Sequence, residues 1–312
     1  MYKTLPRYQV VTTIDAESYG RALPGVELDV VQTGPGFGPN TVRAAVFDDA
    51  TLCVGSVGFP VRGGTTLSDE YLIAVVVSSA PPGTRWCGYD LAPGDALLYS
   101  PGTHHTGISP TGVRYTAAII AKQSVEETAD ALQMRIHLPR HGSVRRMQPA
   151  SSDRSIVSVL ADTLFQSTDN EDPALVRRNV LQSLASELSE DGESALSERV
   201  SVQESRRIVR RCLEFVHEQG GDPSIASLCD VAHVSERRLR NAFIRAYGQP
   251  PTKFFRDLRL NSARDRLLAA SYKSQTVTDI ALSFGFEHGG RFSHRYFELF
   301  GELPSATLST GR

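Results

Sequence analysis

The sequence lacks several features that would place the protein outside an ordinary globular class. None of its apolar runs approaches the about 18 residues that a membrane span needs, and its first residues contain no apolar signal-peptide segment. Its 4 cysteines are scattered, without a CxxC pair or zinc-ligand spacing. We therefore expect a cytoplasmic globular protein with free thiols, no bound metal and no cofactor.

Charge is nearly balanced over the whole chain but is unevenly distributed along it. The formal net charge is −2. From Ser205 onward the chain has 17 Lys and Arg against 11 Asp and Glu, whereas residues 1–204 have 16 against 24. A basic segment behind an acidic one favours a polyanionic partner for the carboxy-terminal part.

The first 123 residues are rich in valine, glycine, proline and threonine. Short apolar runs alternate there with turn signals such as PGFGPN, APPG and APGD. This pattern predicts a β-sandwich or a closed β-barrel.

From about Ser124 the apolar residues recur at spacings of three and four, which predicts helices within 124–190. The stretch 191–204 is polar and is predicted to be a linker before a domain at 205–312. The fold class is therefore α+β with two domains, a β-barrel with trailing helices followed by an all-helical domain.

The last hundred residues contain two units with one plan, a short helix, a tight turn and a longer helix. The first unit covers about 224–246 and the second about 276–300. In the second helix of the first unit, Arg and Asn alternate with apolar residues, so one face is polar and suits the DNA major groove. In the second unit the predicted inward residues are Phe292, Tyr296, Phe297 and Phe300.

The segment 205–308 resembles the DNA-binding domain of the AraC/XylS family of transcription regulators. The residues that carry the resemblance include Ile225, Leu228, Ala232, Ser235, Leu239, Phe243, Gly248, Ile280, Ala281, Gly285, Phe292, Gly301 and Pro304. The resemblance implies seven helices, with a long helix at 251–270 holding the two units apart. Two recognition helices would then enter successive major grooves, about 34 Å apart.

Matched position by position, the resemblance implies DNA-contacting residues in both units. The implied base-reading residues are Arg237, Arg240 and Asn241 in the first unit and His288, Arg291 and His294 in the second. The candidate phosphate contacts are Ser235, Arg238, Arg245, Lys253 and Arg295. Gly289-Gly290 stand where family members usually carry polar side chains, and Leu308 stands where an Arg often follows the final Pro. We therefore expect sequence discrimination to lie mainly in the first unit.

Residues 91–105, LAPGDALLYSPGTHH, resemble the PGD…P…HH stretch of cupin β-barrels, which AraC-type regulators often carry as sensors. A metal-dependent cupin enzyme needs an earlier H-x-H pair and a carboxylate, and no histidine precedes His104. Such an enzyme, fused to a DNA-binding module, is therefore disfavoured. We expect a small-molecule effector in the barrel, with Arg62, Trp86, Tyr99 and His104 as candidate contacts.

The helices at 151–166 and 173–189 each carry an apolar stripe that could form a homodimer interface or pack on the barrel. The function predicted from the whole sequence is that of a non-enzymatic, DNA-binding transcription activator controlled by an effector, with RNA polymerase as a further partner. An alternative is a constitutive regulator whose barrel only dimerises.

Overall fold

The structure is a computed structural model that describes residues 7–13, 26–36, 38–147, 173–189, 200–219, 222–270 and 275–310. A β-rich part with two helices precedes a part made only of helices, so the predicted α+β two-domain class is confirmed. The predicted helix at 151–166 lies outside the described residues. Among the helices that are described, none combines the length and apolar character of a membrane span.

The strands of the amino-terminal domain form two antiparallel sheets. In chain order the strands are β1 (Arg7–Thr13), β2 (Val26–Gln32), β3 (Asn40–Val46), β4 (Ala50–Ser56), β5 (Val61–Leu67), β6 (Tyr71–Ser79), β7 (Arg85–Trp86), β8 (Tyr89–Asp90), β9 (Ala96–Tyr99), β10 (His104–Ser109), β11 (Arg114–Ala121) and β12 (Val144–Met147). The seven-stranded sheet has the order β1-β3-β4-β11-β6-β9-β12, and the five-stranded sheet has the order β2-β5-β10-β7-β8.

The two sheets face each other as a sandwich, and no ladder among the described strands closes them into one barrel. Of the two architectures predicted from the turn spacing, the structure thus has the sandwich, and the β-barrel named in the predicted fold class is corrected to two open sheets. Strand β6 explains the layering, because both of its faces are covered and it is almost continuously apolar. Ile73, Val75 and Val77 pack into the core between the sheets, whereas Leu72 and Ala74 pack into a second core on the outer face.

Helices α1 (Lys122–Ala131) and α2 (Pro173–Ser189) cover that outer face. Val180, Leu181 and Leu184 of α2 are buried against the seven-stranded sheet. Arg177 of α2 also donates to Asp49, with Nε 2.8 Å from Oδ1. The apolar stripe of this helix is thus used within the chain, and a dimer interface through it would have to rest on its remaining surface.

The carboxy-terminal domain has seven helices among the described residues, as the family resemblance implied. They are α3 (Val200–Gln219), α4 (Ile225–Ala232), α5 (Glu236–Tyr247), α6 (Pro251–Ala269), α7 (Val277–Ser283), α8 (Gly289–Phe300) and α9 (Pro304–Thr310). Helix α3 begins inside the stretch 191–204 that was predicted to be a linker. The polar composition of that stretch concealed the start of an amphipathic helix.

Helix α6 connects the two halves of the helical domain and contributes residues to the core of each. Its first turns contribute Phe254 and Phe255 to the core of the first half, which also holds Phe243 and Leu239. Its later turns contribute residues such as Leu260 to a separate core in the second half. One continuous helix therefore fixes the relative orientation of both halves.

Candidate nucleic-acid interface

Helices α4 and α5 form the first helix-turn-helix unit, and caps define the turn between them. Ser224 and Ser235 each precede a helix, and each hydroxyl accepts a hydrogen bond from the backbone N–H three residues later. His233 ends α4 in the left-handed region, at φ 53°. These caps fix the direction in which α5 leaves the turn.

The outer face of α5 carries the three base-reading residues predicted for this unit. Leu239 and Phe243 are fully buried and anchor the helix, while Arg237, Arg240 and Asn241 are exposed. Residues three and four positions apart lie on one side of a helix, so the three polar side chains form one surface. Guanidinium and carboxamide groups are the groups that pair with guanine and adenine edges in the major groove.

Two of the predicted phosphate contacts are already paired within the domain. Arg238 forms an ion pair with Glu204 of α3. Lys253 Nζ lies 2.9 Å from Asp257 Oδ2 and 3.1 Å from Gln249 Oε1. The Arg238 side chain is 58% exposed, so its pair is weak and could exchange for a phosphate. Asp257 is buried, and Lys253 compensates its charge.

The other predicted phosphate contacts differ in how accessible they are. Arg245 is exposed, and its Nη1 lies 3.4 Å from Ser205 Oγ. Arg295 is half-buried. The hydroxyl of Ser235 serves as the cap of α5, although the residue itself is exposed.

Helices α7 and α8 form the second unit. Thr276 and Asp279 make a capping box that starts α7, and Gly285 adopts φ +74° in the turn, a conformation that favours glycine. His288 and Arg291, at the start of α8, are exposed. His294 is also exposed but lies 3.4 Å from Glu298 on the same helix.

Gly289 and Gly290 form the first turn of α8, and a β carbon added to either would meet no atom within 4 Å. Packing therefore does not require glycine here. The first two positions of α8 therefore offer backbone N–H groups and no side chains, unlike the first two positions of α5.

Two predictions about the second unit need correction or explanation. Phe297, predicted to face inward, is 51% exposed, and Leu299 is buried instead. A helix turns by about 100° per residue, so position 297 lies well away from the face set by Phe292, Tyr296 and Phe300. Leu308, which replaces a commonly found Arg, is buried in the core of this unit and contributes to stability.

Trp86 and Tyr99, two of the predicted effector contacts, line a cavity of about 110 Å³ between the two sheets. Its other walls come mainly from apolar residues of β2, β6 and β11 and from glycines of β5 and β10. Trp86 Nε1 donates to Ser109 Oγ at 2.9 Å. Burial raises the pKa of Tyr99 well above its usual value, so its hydroxyl keeps the proton.

Arg62 and His104 do not line this cavity, contrary to prediction. Successive side chains of a strand point to opposite faces, and Val61 and Gly63 take the inner face of β5. Arg62 and His104 therefore lie on the outer face of the five-stranded sheet, where burial lowers the pKa of each. The pKa of His104 falls to about 4, first because of burial and second because of the nearby positive charges of Arg210 and Arg206 on α3.

The outer face of this sheet packs against the helical domain. We call this contact the seam, and its sheet residues are Val31, Gln32, Arg62, His104 and Ile108. Val31 belongs to the apolar core of the first helix-turn-helix unit. His104 faces Arg206 and Arg210 of α3, and the charge of Asp257 in α6 acts on Arg62.

Two polar or close contacts of the seam were not predicted from the sequence. The side chain of Asn261 in α6 accepts from the backbone N–H of Gln32 at 2.9 Å and donates to its carbonyl at 3.1 Å. Gly248 ends α5 at φ +65° and lies close to Ile108. A β carbon added at Gly248 would lie 3.1 Å from Ile108 Cδ1, which is a tight contact. The paired residues are up to 229 positions apart, and no local pattern links them.

Within the described residues, no group of three His, Cys, Asp or Glu side chains is placed to hold a metal ion.

Comparison with known proteins finds similarity mainly in the helical domain. Residues 228–310 match a helix-turn-helix domain family. The chain is 38% identical over 99 residues to the XylDLEGF operon transcriptional activator of Pseudomonas putida, and the match covers 31% of each chain. It is 32% identical over 136 residues to XylDLEGF operon transcriptional activator 2 of the same species, which covers 43% of this chain and 86% of that relative.

The chain thus spans about a third of the length of the first activator and most of the second. A solved structure of a probable AraC family transcriptional regulator from Rhodopseudomonas palustris is 35% identical. That match covers 34% of this chain and 97% of the other, with a TM-score of 0.31.

Proposed function

The chain belongs to the AraC/XylS family of transcription regulators, and from this premise we propose that it is a sequence-specific activator whose first unit supplies most base contacts. The observation that carries the proposal is the exposed surface of Arg237, Arg240 and Asn241 on a helix anchored by buried residues. The second unit contributes fewer base contacts, from His288 and Arg291, because its helix starts with two glycines.

Operator binding by single variants tests this assignment. Arg237→Ala and Arg240→Ala should each weaken specific binding by about 1–3 kcal/mol, the usual value of a bidentate base contact. Arg178→Ala, which removes an exposed arginine from α2, is the matched control and should leave affinity unchanged. The operator itself comes from sequencing the genomic DNA that the full chain retains.

Base substitutions in the two halves of that operator test whether the first unit contributes more base contacts than the second. Changes in the half contacted by α5 should cost more than changes in the half contacted by α8. Equal losses from both halves would contradict the assignment of discrimination to the first unit.

Phosphate contacts complete the proposed interface. Arg238, Arg245, Lys253, Arg295 and the residue Ser235 take this role in our proposal. Replacing Arg238 or Arg245, which are exposed, should weaken binding to all DNA sequences about equally and reduce its salt dependence, because a phosphate contact carries no base information.

We further propose that a small molecule in the cavity between the sheets controls DNA binding. Only the five-stranded sheet separates the cavity from the first helix-turn-helix unit. On β10, Gly107 lines the cavity and the next residue, Ile108, packs at the end of α5. On β5, Gly63 lines the cavity and the preceding Arg62 faces α6. A ligand that moves these strands changes the fit at the seam and so shifts an existing equilibrium.

The same proposal also implies the binding partners and the cellular location of the chain. The matched relatives are transcription activators and regulators by name, and we propose no catalytic activity for this chain. In our proposal the chain contacts RNA polymerase, acts in the cytoplasm and binds DNA as a homodimer. A constitutive regulator is the alternative, and operator affinity that no cavity ligand alters would favour it.

A further inference from the structure

Two paired glycines leave the backbone without side chains at one place on the inner face of the five-stranded sheet. Gly63 of β5 pairs directly with Gly107 of β10. Val30 flanks Gly63 on one side, and Trp86 flanks Gly107 on the other. The row Val30-Gly63-Gly107-Trp86 crosses four neighbouring strands, about 14 Å in all. Glycine inside a strand weakens it and often marks a site where a ligand or another group approaches the backbone, and two opposed glycines point to such a site here.

Part of that space is taken by the Trp86 ring. A β carbon at Gly107 would lie 2.9 Å from Trp86 Cδ1, so the indole lies against this glycine. Tyr115 packs edge-on against the indole, with ring centroids 5.8 Å apart. The space over Gly63 remains, with Trp86 as one wall and Val30 as the other.

The opposite sheet covers this space with aliphatic side chains. Ile73 and Val75 of β6 and Ala117 and Ile119 of β11 line the cavity from that side. The cavity volume is about 110 Å³. An apolar cavity of about 150 Å³ in another protein holds one benzene molecule. The cavity between the sheets is smaller than that one, so it suits a ligand no larger than a single six-membered ring.

The chemistry of the lining excludes a charged ligand. None of the lining residues is charged, and the polar groups among them are hydroxyls and the Trp86 N–H, which already donates to Ser109. Arg62, on the outer face of β5, does not reach the cavity. Burying an unpaired carboxylate here would cost far more than burying a hydroxyl that pairs with Tyr99 or Thr65.

We propose that this cavity binds an uncharged, flat and largely apolar molecule of one six-membered ring with a single hydrogen-bonding group. The proposal rests on the proposed effector control of this domain and names the chemical class of the effector. The ring lies over Gly63 between Val30 and Trp86, and its polar group pairs with the Tyr99 hydroxyl. Carboxylates and sugars are rejected, the first by charge and the second by their many hydroxyls.

Calorimetric titration of the full chain with four probes tests the proposal: phenol, benzene, benzoate and glucose. Phenol should bind at least tenfold more tightly than benzoate at pH 7.5, benzene should bind more weakly than phenol, and glucose should show no heat of binding. Benzoate or glucose binding as tightly as phenol would overturn the proposal, as would the absence of binding by both phenol and benzene.

Two variants locate the bound probe. Ala117→Leu fills the cavity and should reduce phenol affinity at least tenfold, whereas Ala131→Leu, at the exposed end of α1, should not. Tyr99→Phe removes one hydroxyl, so it should reduce phenol affinity and leave benzene affinity unchanged. This selective loss keeps the test decisive if Ala117→Leu fails to fold. Phenol binding that survives both substitutions overturns the proposal.

Operator binding with and without phenol separates this proposal from the function on which it rests. Phenol binding with unchanged operator affinity supports the chemical class and contradicts effector control. Loss of specific operator binding in Arg237→Ala supports the DNA-reading assignment whatever the probes do.

Discussion

Asn261→Ala should release the helical domain from the sandwich. The Asn261 side chain satisfies both the backbone N–H and the carbonyl of Gln32, at 2.9 and 3.1 Å. Asn261 is 6% exposed and Gln32 is 4% exposed, so water cannot replace these bonds while the seam is closed. Leaving a buried polar group without a partner costs about 1–3 kcal/mol, which gives about 2–6 kcal/mol for the two groups.

Opening the seam avoids that cost, because both backbone groups then bond to water. The ratio of open to closed molecules should therefore rise by a factor of about 30 or more. Hydrogen exchange followed by mass spectrometry measures this ratio directly, because the Gln32 amide is one of the two groups concerned. The peptide containing β2 should exchange about 30-fold faster in the variant, and the peptide containing β4 should be unchanged.

Ser262→Ala is the matched control for this experiment. Ser262 follows Asn261 on α6, and its hydroxyl bonds within the helix to the Leu258 carbonyl at 3.2 Å. It should leave exchange in β2 at the wild-type rate. If Asn261→Ala folds and β2 exchanges as in the wild type, the seam is not held by this amide and our reasoning is wrong.

Two further predictions also concern the seam. The pKa of His104 is about 4, below its usual value of 6.5, so the neutral form stabilises the fold above pH 6.5 and this contribution is lost as the pH falls toward 4. Between pH 7 and pH 5 the loss should be at most about 2 kcal/mol, and urea unfolding should show it in the wild type and not in His104→Gln; equal pH dependence in the two proteins would count against it. Gly248→Ala should cost about 1–2 kcal/mol from its positive φ and should also speed exchange in β10 through Ile108. Gly285→Ala carries the same backbone strain far from the seam and should leave β10 unchanged; β10 exchange that rises equally in both variants would show that Gly248 has no special part in the seam.

Local patterns in the sequence predicted the helical domain well. Apolar spacing and the Ser235 cap defined the first unit, and Leu239 and Phe243 are buried as predicted. The prediction for Phe297 was wrong because position 297 lies about 100° around the helix from the face that Phe292, Tyr296 and Phe300 define. Spacing by three and four residues identifies Leu299 as the buried residue once the first buried positions of the helix are known.

The residues that line the cavity between the sheets were predicted less completely, because of strand geometry. Trp86 and Tyr99 do line it, whereas Arg62 and His104 face the other way. Each strand side chain has two possible faces, and the segment around Arg62 is glycine-rich and carries no clear alternation. Only the pairing of β5 with its neighbours decides which residues face inward. The same limit applies to α2, whose apolar stripe matched a sheet and a second chain equally well.

The position of Asn261 also affects how molecules of this protein associate with one another. Strand β2 is at the edge of its sheet, and its outward backbone groups are those that a neighbouring strand would normally satisfy. A single carboxamide takes the place of that strand. A chain whose helical domain has been released therefore exposes an unprotected strand, and that strand is open to pairing with the same strand of another molecule. The rate of such self-association should depend on protein concentration. The amide that closes the seam therefore also protects the protein from pairing with other copies of itself.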